Sequence, residues 1–158
     1  MNKKSILTAG TLALAISTAT TAIYSAELEE IIVTAQKRAE SLQDVPISMS
    51  ALSGSTVKDN GIHSFQDLSG YVPNLSIQEN AVNSIITMRG IGIGSNQSFE
   101  QSVGIYVDGV HFGKSRQVRT GLFDIEQLEV LRGPQGILFG KNTLAGAINV
   151  TTASADVG

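Results

Sequence analysis

A chain of 158 residues with 14 acidic against 11 basic side chains carries a formal charge of −3, which argues against a nucleic-acid face. Sixteen glycines and only three prolines indicate tight turns rather than disorder. The absence of cysteine excludes disulfide staples, a thiol nucleophile and a lipid anchor on an N-terminal cysteine.

The chain opens with Lys3 and Lys4, a mostly apolar stretch from Ile6 to Ile16, and a hydroxyl- and alanine-rich run up to Glu27. This order predicts a secretory signal peptide over residues 1–26. A membrane span needs about 20 predominantly apolar residues, and Ser17, Thr18, Thr20 and Thr21 interrupt the run too early. Cleavage is expected after Ala22 or Ala26, and the second leaves roughly 130 residues, enough for one compact domain held by packing alone.

Next comes "EEIIVTA", Glu29 to Ala35. Ile31, Ile32 and Val33 are β-branched and favour an extended backbone, yet "QKRAESLQD" follows and offers no evident pairing partner. Two readings stand equal on pattern alone. The segment is either the first strand of the domain's own sheet or a strand that adds to the edge of another protein's sheet. Residues 27–44 read as a flexible leader, with compact structure over 45–152.

Within that region "ISMSAL" alternates Ile47, Met49 and Ala51 with serines, the period of a half-buried strand. A short helix capped by Ser53 or Ser55 should stop at Gly61. Ser64 and Asp67 form a capping signature for another short helix ending near Gly70. "LSIQE" and "SIITMRG" read as strands, and "GIGIGSNQSFEQ" as a long glycine-rich loop. In "VGIYVDGVHF", Val103, Ile105 and Val107 alternate with Gly104 and Tyr106, and Asp108-Gly109 supplies a tight hairpin turn. "GKSRQVRTG" is a polar, basic connection. "DIEQLEVLRGPQG" predicts a helical turn capped by Asp124, a strand from Leu128 to Leu131 and a Gly-Pro turn. "AGAINVTT" closes as the last strand. Short strands and short helices in mixed order predict an α+β fold with one small mixed β-sheet and long loops.

No catalytic constellation emerges. "GPQGILFGKNT" fails as a phosphate loop, because Gly136 and Gly140 are one residue too close and Asn142 replaces the magnesium-binding hydroxyl. "RGIGIGSN" has Ser95 where a dinucleotide loop needs its third glycine. His63 and His111 lack neighbouring ligands, so neither metal nor cofactor is expected.

Order and context decide the open question about the strand-prone box. A signal peptide, "EEIIVTAQKRAESLQDVPISMSAL", "VGIYVDGV" and "DIEQLEVLRGPQGILFGKNTLAGAINVTT" together resemble the start of TonB-dependent outer-membrane receptors. The resemblance covers essentially the whole mature chain and implies a plug domain, a small α+β unit that blocks a 22-stranded barrel. It implies that Glu30, Ile31, Ile32, Val33, Thr34 and Ala35 are a TonB box, which meets the periplasmic energy-coupling protein TonB by strand addition. Arg89, Glu129 and Arg132 match the family's "RG" and "EVLRGP" positions, and the resemblance implies that they contact the barrel. Ser95, Asn96, Gln97, Lys114 and Arg116 occupy loops expected to face the imported ligand, an iron–siderophore complex by default.

The barrel itself is not expected in this chain. Twenty-two strands of about 10 residues need roughly 220 residues before loops, and residues 153–158 would only begin it. The expected role is therefore gating of uptake as a receptor fragment, at the outer membrane when joined to a barrel. A stand-alone periplasmic module that binds ligand or TonB is the alternative, and a secreted enzyme with a site formed only on folding is the third reading.

Overall fold

The computed structural model describes residues 31–34, 38–81, 83–93 and 100–154. The signal segment, Glu30, Ala35, Ser95, Asn96 and Gln97 lie outside the described residues. The expected α+β architecture is present, but its strands divide among three sheets instead of one.

The main sheet has five strands: β3 (Met49–Ser53), β7 (Val103–Val107), β8 (Val110–His111), β9 (Ile125–Arg132) and β10 (Gly146–Thr152). Their spatial order is β3-β9-β10-β7-β8. β10 lies parallel to β7 and antiparallel to β9, which makes the sheet mixed. A second sheet joins β4 (Leu75–Glu79), β5 (Ser84–Met88) and β6 (Ile91–Gly92), all antiparallel. The third is a ribbon of β1 (Ile32–Val33) and β2 (Glu40–Ser41).

The period-2 alternation of the main strands separates two faces. Leu128 and Val130, Ile148 and Val150, and Val103 and Ile105 point to one face, where they bury against Val57, Phe65, Leu68, Ile86 and Met88. Each fully buried aliphatic side chain contributes about 1.5–3 kcal/mol, so this layer carries most of the fold. The opposite face holds a smaller apolar group of Tyr106, Leu131 and Ala147, backed by Ile47, Met49 and Phe139. The same face carries Gln127, Glu129 and Asn149, and the first strand lies over it.

Local signals place the connections. Ser53 caps α1 (Gly54–Asp59) by accepting a hydrogen bond from the Thr56 N–H, and Gly61 follows at φ 63°. Asp108 and Gly109 sit at φ 49° and 78°, the mirror-image turn that a twisted hairpin needs. The same geometry recurs at Arg89 and Gly90, φ 52° and 78°, and joins β5 to β6. That hairpin was not expected, because arginine carries no preference for positive φ.

The helical turn expected at Asp124 is absent. Asp124 is a positive-φ corner, φ 51°, and the following segment is extended from Ile125 onward. Pairing on both sides, with β3 and β10, outweighs the weak local helix signal. A short helix, α2 (Gly136–Phe139), occupies the stretch after the Gly-Pro turn.

Ser64 and Asp67 do form a reciprocal box, and a single 3-10 turn, Asp67–Gly70, stands where the short helix was expected. The Asp67 carboxylate accepts from the His63 and Ser64 N–H groups and from the Ser64 hydroxyl. The hydrogen bond from the His63 N–H, then that from the Ser64 hydroxyl, hold this carboxyl below its ordinary value of 3.8. A depressed folded-state value gives stability that is complete above the unfolded value and disappears as pH falls through the folded one. Asp67→Asn is expected to cost about 0.5 kcal/mol at neutral pH, the low end for a cap because the carboxylate stands in water. Urea melts at pH 7 and pH 3 check this: the gap between wild type and variant should narrow in acid.

Candidate functional site: the first strand and the arginine corner

The strand-prone box does not stand alone. Val33 is 1% exposed and Ile32 54%, so the segment is fastened by one face and open on the other. Along one edge β1 pairs with β2, in register Ile32 to Ser41 and Val33 to Glu40, and the Leu42 N–H donates to the Ile31 carbonyl at 2.9 Å. Along the other edge it meets side chains of β9. Gln127 Nε2 donates to the Ile32 carbonyl at 2.8 Å, and the Thr34 N–H donates to Glu129 Oε1 at 2.5 Å.

Glu129 is 0% exposed. Its carboxylate accepts from Thr34, from Gln127 Nε2 at 3.2 Å and from Asn149 Nδ2 at 2.9 Å. Among the described residues it has no cationic partner, so its charge rests on neutral donors. Beside the box, Thr34, Tyr106, Leu138, Phe139 and Asn149 line an open groove of about 410 Å³. Tyr106 closes the far side of that groove by donating to the Phe139 carbonyl, and burial raises its phenol above 10.0.

A second constellation lies at the opposite end of β9. Arg89 projects from its positive-φ turn so that Nη1 would lie 3.4 Å from a β-carbon on Gly133. Gly133 itself sits at φ 112°, a conformation only glycine holds without strain. The "RG" of Arg89-Gly90 and the "RG" of Arg132-Gly133 therefore meet in space although distant in sequence. Arg132 donates to the Met49 carbonyl at 3.1 Å, while its buried Nε has no acceptor. Neither arginine forms an ion pair among the described residues.

Lys114 and Arg116 are exposed at the 3-10 turn Ser115–Arg119. That turn is pinned to the β4–β5 connection: Arg119 donates to the carbonyls of Asn80 and Asn83, and the Ser115 hydroxyl to Asn83 Oδ1 at 3.3 Å. The Lys141 ammonium, hydrogen-bonded at 3.0 Å, holds the Glu100 carboxyl below its ordinary value, and Lys114 adds a smaller pull. Gln127, Asn149 and β2 were not singled out from sequence. For Gln127 and Asn149 the signal is a polar residue at an alternate position within a largely apolar strand, whereas β2, the dipeptide Glu40–Ser41, carries no such signal.

The fold is that of a small α+β domain whose leader strand is folded back onto the main sheet. Residues 41–147 match the family model described as the TonB-dependent Receptor Plug Domain, and the chain belongs to that family. It is 32% identical over 129 residues to the pesticin receptor of Yersinia pestis, covering 80% of this chain and 19% of that protein. It is 30% identical over 137 residues to an iron-regulated outer membrane virulence protein of Vibrio cholerae, covering 78% of this chain and 20% of the relative. Among solved structures, the ferric yersiniabactin uptake receptor FyuA from Yersinia pestis superposes with a TM-score of 0.63 at 35% identity. That superposition covers 71% of this chain and 18% of FyuA. The chain thus spans about a fifth of the length of the curated relatives it matches. The family is one of receptors.

Proposed function

We propose that this chain is the gate of an energy-coupled outer-membrane receptor, and that residues Glu30 to Ala35 are the handle by which TonB acts on it. One observation carries the reading. Ile31 to Thr34 form an extended segment ahead of the matched plug domain, hydrogen-bonded along both backbone edges, with Val33 buried and Ile32 exposed. Strand addition uses such edges, with β-branched side chains limiting the entropy lost on extension.

The arginine corner fits a partner wall. Arg132 has a buried donor with no acceptor, and Arg89 is held in a backbone conformation that costs a non-glycine residue energy. We assign both to carboxylates on the inside of a barrel, with the receptor placed in the outer membrane. Glu129 is proposed as a barrel contact only once Thr34 has left it, because its oxygens are otherwise occupied. Lys114 and Arg116, with Ser95, Asn96 and Gln97, are proposed to meet the imported ligand, for which a ferric siderophore is the leading class given what the relatives are named for.

Calorimetric titration of the purified chain with the periplasmic domain of TonB tests the central assignment. Saturable binding is expected, and deletion of residues 29–35 should abolish it while the far-ultraviolet spectrum of the sheets persists. Binding that survives the deletion would overturn the assignment.

A further inference from the structure

Successive residues of an extended strand direct their N–H and C=O groups to opposite edges. In β1 the groups of Ile31 and Val33 face β2, and those of Ile32 and Thr34 face away from it. The outward pair is not open. Gln127 supplies a donor to the Ile32 carbonyl and Glu129 supplies an acceptor to the Thr34 N–H.

Gln127 and Glu129 are two residues apart on β9, so both project from one face about 7 Å apart. That spacing equals the repeat between Ile32 and Thr34. A side-chain amide and a side-chain carboxylate thereby present donor and acceptor in the order in which a neighbouring strand would present them. We infer that Gln127 and Glu129 act as a surrogate strand that closes the second edge of the box, so that a partner strand gains the box only by displacing β2 or these two side chains.

Burial explains why the closure is selective. A buried carboxylate without a counter-ion must have its lone pairs filled by donors. Glu129 finds two in its own sheet, Gln127 and Asn149, and takes the rest from the Thr34 backbone and, at 3.5 Å, the Thr34 hydroxyl. Removing the box leaves the carboxylate short of donors. Holding the box and keeping Glu129 solvated are therefore one condition, and these residues set how available the box is. The inference rests on reading residues 30–35 as the TonB box, and it adds a residue-level brake to that reading.

The chain contains no cysteine, so a single spin label on Ile31→Cys reports the box alone. Glu129→Ala should mobilise the label and tighten binding of the TonB periplasmic domain about tenfold, the scale of a lost hydrogen bond to a charged group. Glu129→Gln keeps an acceptor oxygen for Thr34 and should change affinity by less than about threefold. Gln127→Ala, at a half-exposed position, should mobilise the label to a smaller degree, and it carries the test if Glu129→Ala does not fold. A label equally mobile in wild type, Glu129→Ala and Gln127→Ala would overturn the brake. A free peptide of residues 29–35 is titrated in parallel. If that peptide does not bind TonB, the box assignment fails, while the label still reports whether the two side chains hold the strand.

Discussion

Gly146→Ala is expected to destabilise the chain by about 3 kcal/mol or more, at or beyond the usual upper range for overpacking a core. A β-carbon at Gly146 would lie 2.3 Å from the Leu131 carbonyl oxygen and 2.2 Å from Met88 Sδ. The methionine is flexible and can turn away. The carbonyl cannot, because it belongs to β9, whose register with both β10 and β3 fixes its position. Gly146 is also where β10 begins its pairing with Val103 of β7, so a shift there propagates to both neighbours of the central strand. Urea denaturation followed by circular dichroism measures the cost. A loss below about 0.5 kcal/mol, the scale of an ordinary surface substitution, would show that the two strands do not approach so closely. The functional consequence is specific: β9 carries Gln127 and Glu129 on one face and Arg132 at its end, so displacing it disturbs the box and the arginine corner together.

That coupling explains which parts of the molecule were legible in the sequence. The hairpin at Asp108-Gly109 was readable because the turn chemistry and the alternating strand beside it point the same way. A serine cap, expected at Ser53 or Ser55 and found at Ser53, and the Ser64–Asp67 box were readable for the same reason, since each signal joins residues only three apart. The start of β9 was not. Its first residues look helical locally, and only pairing with β3 and β10, contributed by residues far away in the chain, makes them extended.

The box shows the same limit at the level of the site. Its strand character is written in Ile31, Ile32 and Val33, whereas the TonB-box role proposed for it rests on resemblance. Its partners within the chain, Gln127 and Glu129, are 95 residues away and reach it through side chains, a contact that no local pattern announces. The leader, expected to be flexible, is fastened over its described part by those contacts and by β2. Arg89 and Arg132 were picked out by motif, but their shared corner depends on two positive-φ positions, Arg89 and Gly133, that bring separate loops together.

The loop that carries Lys114 and Arg116 depends on a different anchor, and Phe65→Ala should expose it. Phe65 is among the largest fully buried side chains, and the Leu122 N–H donates to the adjacent His63 carbonyl at 2.8 Å. Together these fasten the connection between β8 and β9 to the body of the domain. Phe→Ala in a core costs about 3–5 kcal/mol, more where the surroundings cannot collapse into the space. Phe65 already borders a hollow of about 110 Å³ lined also by Val107, Phe112, Leu122 and Ile125. The new void would join the old one, and β-strand residues on its far wall are held by their ladders, so a value in the upper half of that range is expected. Hydrogen exchange should then rise first over residues 112–123, while β9 and β10 keep their protection until global unfolding. Uniform loss of protection across the chain would mean instead that the connection and the sheet unfold as one unit, and that the loop carrying Lys114 and Arg116 has no independent freedom to move.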